Sequence, residues 1–366
     1  MESPSPPLVT SPGGLIMMAD MEVHRLRRIT RVLSIIVFVL LVSLLAFAVA
    51  LTNSRVGSES MTAVWENTLS NAKYVDLTHS FAPTTPVWGG FNHAQFGPAV
   101  AGSNTPGLIN RNEAYSYARQ GFVATSYTVP TDQYGTQLDT PAHWNEYGST
   151  VSDIPSTVAL RPLVVINIAD KVKRDPGYHA KPSDVHAWER AHGQVPRGSV
   201  VMFRSDWSLR WDEYARFGVP TIFPGVQLST LKLLHEERAI LFHGHEPLDT
   251  DMTPSLEGEA WLMHHNFMQA EGVMNLHRVP EHGALVTIGF AKALGGTTGL
   301  ARFVAVCPPD WTDGATVWAK PGAPLATQVA PLRRNSAGVL QPNPEAVPTR
   351  YCSSEDTKPL GCPLPS

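Results

Sequence analysis

The densest polar chemistry in the chain is the run Asp132-Gln133-Tyr134-Gly135-Thr136-Gln137-Leu138-Asp139-Thr140-Pro141-Ala142-His143-Trp144. If residues 133–139 are extended, side chains alternate and Gln133, Gln137 and Asp139 share one face. Pro141 holds Thr140 out of the helical region, and the turn that follows can carry His143 back over that face. A carboxylate, a histidine and two amides on one wall can hold a metal ion or orient a water. The same residue types also build turns in which Asp and Thr cap one another, and spacing alone does not decide between the two. Trp144 and Trp88 are candidates for an apolar pocket wall or for the core.

A second group lies at Phe242-His243-Gly244-His245-Glu246, followed by Asp249 and Asp251. His243 and His245 are two apart, so an extended chain aims them the same way. They read as metal ligands on a strand-end loop or as exposed loop histidines. Further on, one helix would set His264 and Glu271, seven apart, on one face, although Gly272 marks an end to it. The alternative for His264 is a partly buried structural histidine.

Several chemistries are excluded by pattern. No Gly-x-Ser-x-Gly elbow occurs, against a serine hydrolase. His245-Glu246-Pro247-Leu248-Asp249 carries Asp where HExxH needs its second histidine, and no Cys/His zinc spacing exists. Gly295-Gly296-Thr297-Thr298-Gly299 lacks both phosphate-loop patterns and reads as a turn into a last strand. A net charge of -4 gives no basic footprint for nucleic acid.

The elements that must position these groups read as alternating strands and helices. Apolar, Val/Ile-rich runs bounded by Gly, Pro or Asp predict strands at 123–129, 162–168, 199–203, 239–242, 284–288 and 303–306. Helical patterns cover 183–191, 226–237 and 258–269. Interleaving of this kind predicts an α/β domain over residues 74–310. Residues 311–366 read as an irregular Pro-rich tail, where Cys352 and Cys362 either pair, if the tail is exported, or stay free. Cys307 reads as a buried thiol at a strand end.

Residues Val32 to Thr52 carry no charge, enough for a helix of about 30 Å, the thickness of a bilayer's hydrocarbon. Arg25, Arg27, Arg28 and Arg31 precede this run, so the N-terminus is expected in the cytoplasm and the α/β domain outside it. The segment is favoured as an uncleaved transmembrane anchor. A cleaved signal ending near Ala48-Val49-Ala50 is the alternative, and it would make the domain secreted. Residues 1–31 are expected as a disordered leader and 53–73 as a linker with a short helix.

Residues 133–143 are similar to the signature of the cyclase family, which includes bacterial kynurenine formamidases and isatin hydrolases: His-x-Gly-Thr-His-x-Asp-x-Pro-x-His. Gly135, Thr136, Asp139, Pro141 and His143 match, while Gln133 and Gln137 replace the first two histidines. Four further stretches resemble the family in order: Val75 to His79, Gly198 to Trp207, Glu271 to Leu276, and Gly295 to Arg302. The resemblance implies a single β/β/α swivelling-type domain, a homo-oligomer and a divalent metal, zinc or manganese. It implies Asp139, His143 and Glu271 as retained site residues, with His245, His243 or His264 as substitute ligands and Gln133 and Gln137 on the same wall. Glutamine offers only a neutral carbonyl oxygen or an NH2 group, so it is a poor zinc ligand. The implied activity is hydrolysis of a small amide, formamide or lactam C–N bond, with His143, Glu271 and Gln137 catalytic. A non-hydrolytic cyclase or dehydratase and a metal-free binding protein on the same fold are the alternatives.

Overall fold

The computed structural model describes residues 12–56, 60–317, 325 and 327–346, with side chains of the first helix described for residues 23–45. Cys352 and Cys362 lie outside these residues. The chain divides into two compact units, Met1–Thr68 and Leu69–Ser366.

The first unit holds helix α1 (Pro12–Val56) and the short α2 (Met61–Asn67), which Ser60 caps by accepting from Ala63 N at 3.1 Å. Within α1, Val23–Leu45 is a 23-residue candidate span whose most apolar window has a mean hydropathy of 2.3, none of it buried. It overlaps the expected span. Of the leader expected to be disordered to residue 31, residues 12–31 are helical in α1, and residues 1–11 lie outside the described residues. Proline suits a first helical turn, and Leu15, Met17, Met18 and Ala19 are strong helix formers.

The second unit is strand-rich. Its strands are β1 (Lys73–Asp76), β2 (Gln95–Pro98), β3 (Thr125–Thr128), β4 (Gln137–Asp139), β5 (Leu160–Asn167), β6 (His179–Ala180), β7 (Val200–Arg204) and β8 (Gly225–Val226). They continue as β9 (Phe242–His245), β10 (Met268–Glu271), β11 (Ala284–Phe290), β12 (Thr298–Cys307), β13 (Ala315–Thr316), β14 (Leu332–Arg334) and β15 (Leu340–Pro342). Helices α3 (Tyr117–Gln120), α4 (Ala169–Arg174), α5 (Pro182–His192), α6 (Trp211–Phe217), α7 (Leu228–Lys232) and α8 (Glu257–His264) lie between them.

The main sheet runs β11-β5-β7-β9-β10-β4-β12-β1-β13, and β11 also pairs β12. That extra pairing closes seven strands into a barrel, where a swivelling β/β/α layering was expected. β5, β7, β9 and β10 run parallel, and β4, β11 and β12 complete the ring by antiparallel pairs. Alternation along β5 and β7 sorts the core. Leu163, Val165, Val200 and Met202 join one buried cluster with Leu138, Phe242, Ala270 and Phe303. Val164, Ile166, Val201 and Phe203 join another with Val185 and Trp188 of α5, Leu231 of α7 and Leu262 of α8. Both faces are covered, which is why these strands read as unbroken apolar runs.

Two boundaries differ from expectation. β9 starts at Phe242, not 239, because Ala239 sits at φ 52°. His243 and His245 are therefore inside a buried strand and not on an exposed loop. The pattern at 258–269 splits: α8 ends at His264, the chain turns at Asn266 (φ 62°), and β10 follows. The segment after 310 is not wholly irregular, since β14 and β15 pair as a hairpin. Cys307 is buried at the end of β12, as expected.

Candidate active site

Register across four strands builds the site. Gln269 of β10 lies opposite both His243 of β9 and Asp139 of β4, and Asp139 lies opposite Thr298 of β12. Glu271 lies opposite Gln137 in the next row. Leu138 and Ala270, the intervening residues, enter the apolar core. Alternation thus turns Gln137, Asp139, Gln269 and Glu271 together to the other face, where all four are buried. Gln133 joins them, donating through Nε2 to Thr298 Oγ1 and accepting from Gln137 Nε2 at 2.7 Å. The expected shared wall of Gln133, Gln137 and Asp139 therefore exists.

Helix α8 supplies a third carboxylate. Glu259 accepts from Trp144 Nε1 at 2.9 Å, and its Oε2 has no partner. Asp139, Glu259 and Glu271 each present a ligand atom within 4.8 Å of the others, all three being buried. Thr140 is extended (φ -102°, ψ 158°) before Pro141, and a 3-10 turn over Pro141–His143 follows. His143 Nε2 then lies 3.7 Å from Glu259 Oε1.

Amide groups hold the carboxylates. Gln269 Nε2 donates to Asp139 Oδ2 at 3.1 Å and to Glu271 Oε1 at 2.9 Å. Gln137 Nε2 donates to Glu271 Oε2 at 2.9 Å, leaving Gln137 Oε1 buried and unpartnered. Thr298 Oγ1 donates to Asp139 Oδ1 at 2.9 Å. Thr298 is itself set by Asp132, whose Oδ2 accepts from the backbone N–H of Thr297 and Thr298, both at 2.9 Å.

Crowding raises every acid here. Burial first, then Asp139 and Glu259, hold the Glu271 carboxyl well above its usual range. Burial, then Asp139 and Asp249, push Glu259 up to about 8. Asp139 is raised by burial and restrained by His143 and the amides around it. Neighbouring carboxylates of this kind need protons, donors or a cation among them. The donors are all oxygen: three carboxylates and the free Gln137 carbonyl. That set fits a hard divalent cation better than an imidazole-bound zinc.

Above the trio opens a cavity of about 270 Å³, reached by Gln133, Gln137, His143, Glu259 and Glu271 and walled by Trp88, Phe91 and Trp144. Both candidate tryptophans therefore face the pocket.

Other expected ligands fall elsewhere. His264 ends α8 and is exposed, and the shared helix face with Glu271 does not exist. His245 is buried with Nε2 3.9 Å from Glu271 Oε1, but its ring bonds Thr250 Oγ1 (2.8 Å) and Pro247 O (3.0 Å). His243 approaches Thr250 Oγ1 at 3.4 Å, away from the trio. Asp251 caps α8 by accepting from Gly258 N at 2.8 Å. Glu259 and Gln269 carried no motif. Their signals were a carboxylate on the buried stripe with Leu262 and Met263, and alternation with Glu271 along one strand.

Residues 75–252 match the family model described as "Putative cyclase". The isatin hydrolase of Roseibium aggregatum is 26% identical over 249 residues, covering 64% of this chain and 91% of that protein. Two solved structures share the fold. Isatin hydrolase A from Labrenzia aggregata, with benzyl benzoate bound, gives a TM-score of 0.58 at 22% identity over 68% of this chain and 98% of its own. Isatin hydrolase A from Ralstonia solanacearum gives 0.57 at 24% identity over 69% of this chain and 98% of its own. With the signature at 133–143 on one wall and these likenesses running through the same domain, the strand-rich unit is similar to the cyclase family, carrying glutamines where two signature histidines stand.

Proposed function

We propose that the chain is a metal-dependent hydrolase of a small amide, formamide or lactam C–N bond. The observation that carries this reading is the buried trio Asp139, Glu259 and Glu271 at the floor of an aromatic-walled cavity. The likeness to an isatin hydrolase supports the reaction class. Asp139, Glu259 and Glu271 would hold the cation, with Gln137 Oε1 as a neutral donor. The all-oxygen set favours manganese over zinc. A bound divalent ion supplies Lewis acidity to a carbonyl and an acidified water.

The chain's own residues do the rest. Gln137 and Gln269 fix Glu271 through both its oxygens, so it presents one orientation to the cavity. Trp144 holds Glu259 through Oε1 alone and leaves Oε2 free for the cation. His143 stands at the cavity wall with its ring partly exposed, placed to take a proton at Nε2 and return it to the leaving nitrogen. Trp88 and Phe91 exclude water from the substrate's apolar part.

The full chain in detergent, stripped with chelator and reloaded with Mn2+ or Zn2+, tests this on formanilides and cyclic aryl lactams, with products identified by mass. Mn2+ should restore hydrolysis, and Asp139→Asn should lower it roughly 100-fold. Undiminished turnover in chelator, with no metal bound, would sink the metal-dependent mechanism. The metal-free reading has one observation in its favour, the N–H groups that Gln137 and Gln269 already give the trio. Ligand binding without turnover or metal would support it.

A further inference from the structure

Asp249 is a carboxylate the hydrolytic scheme does not use. It lines the same cavity but is not one of the trio. Among the described residues its side chain has no hydrogen bond and no ion pair. Asp139 and Asp251 act on it as like charges. Among the described residues no lysine or arginine lines the cavity, and His143 is the one basic group that does. Two further buried acceptors there, Glu259 Oε2 and Gln137 Oε1, also lack partners. A divalent ion on three carboxylates leaves one negative charge uncompensated, and Asp249, its carboxyl pushed up to about 7 by burial and its acidic neighbours, adds another once ionised.

Aromatic rings line the same cavity. The rings of Trp88 and Phe91 meet at 5.2 Å in an edge-to-face arrangement, and both remain partly exposed toward solvent. A carboxylate and aromatic rings in one cavity, with no lysine or arginine among its described lining residues, are the chemistry that recognises an ammonium group. Resting on the hydrolase reading, we infer that the substrate carries a positive charge, an ammonium group seated between Asp249 and the Trp88–Phe91 wall. Anionic amides are repelled by the same carboxylates.

The test compares three para-substituted formanilides, aminomethyl, hydroxymethyl and carboxymethyl, on the Mn2+-loaded full chain. The aminomethyl compound should lead the neutral one in kcat/KM by about tenfold, and the carboxymethyl compound should trail it. Asp249→Asn should collapse the cationic advantage through KM, and Asp249→Lys should reverse the order. Equal rates for all three, or a preference that Asp249→Asn leaves unchanged, overturn the inference. If none of the three is hydrolysed, the hydrolase reading falls and calorimetric titration with benzyltrimethylammonium decides this inference alone. Binding lost in Asp249→Asn supports the ammonium site. Binding lost in Glu259→Gln but kept in Asp249→Asn overturns it.

Discussion

Gln269 places one amide nitrogen between two buried carboxylates, and that arrangement sets how the site balances stability against chemistry. Without a cation, each acid of the trio must stay ionised beside its neighbours or take up a proton on folding, and both cost stability. Glu259→Gln isolates this cost, because the amide oxygen can still accept from Trp144 while the NH2 replaces the unpartnered Oε2. At neutral pH without divalent ions the variant should therefore melt several degrees above the wild type. Saturating Mn2+ should reverse the order, since a ligand at about 100 times its Kd adds about 2.7 kcal/mol to the form that binds it. Scanning calorimetry with and without Mn2+ checks this, and equal Mn2+ stabilisation of both proteins would remove Glu259 from the ligand set. Gln137, Asp139 and His143 were legible as a site because one strand and one proline turn place them locally. Glu259 and Gln269 were not, because they meet Asp139 only through a helix and a strand more than a hundred residues away.

Strand ends, not strand interiors, carry the second determinant of the site. Glu246 follows β9 and reaches the end of β7, where its Oε2 accepts from Ser205 Oγ (2.8 Å) and from the N–H groups of Ser205 (3.2 Å), Trp207 (2.6 Å) and Ser208 (3.4 Å). This clamp fixes the start of the segment that carries Asp249. Glu246→Ala leaves those donors buried without an acceptor and should cost about 3 kcal/mol or more, measured by chemical denaturation. Burial pushes the Glu246 carboxyl from 4.5 up to about 7. The folded state then holds the proton more tightly than the unfolded one. Its contribution is full below pH 4.5 and is lost as pH rises through about 7. Glu246→Gln keeps one acceptor and does not titrate, so the wild type should lose stability relative to it between pH 5 and 8. A flat difference across that range would assign Glu246 an ordinary carboxylate. The same strand shows where sequence reasoning stops at this scale. β5, β7, β11 and β12 announce themselves as apolar runs, whereas β9 reads Phe-His-Gly-His and β10 reads Met-Gln-Ala-Glu. The polar half of β10 holds the site and that of β9 is tied to Thr250 and Pro247, so the hydrophobic pattern that marks a strand is missing in both.

At the scale of the whole chain, α1 raises the question of where the catalytic unit works. Its 45 residues measure about 68 Å as a helix, more than twice the hydrocarbon thickness of a bilayer, so only part of it can be a span. From Val32 on the stretch carries no charge and is unburied, and a helix that is hydrophobic all round is one that suits lipid. Arg25, Arg27, Arg28 and Arg31 crowd its N-terminal part, the charge bias from which a cytoplasmic N-terminus is predicted. The prediction is a chain that stays in the membrane pellet through an alkaline carbonate wash at its full mass. Protease added to intact cells should remove the Leu69–Ser366 unit. Mass analysis of the N-terminus separates anchor from signal: a mature chain beginning just after Ala50 would mean cleavage, with the unit released in soluble form. Protection of the unit in intact cells would place it on the cytoplasmic side and reverse the topology. The charge inference sharpens the consequence, because a small ammonium-bearing amide crosses a bilayer poorly, and a unit held on the outer face would meet it without transport.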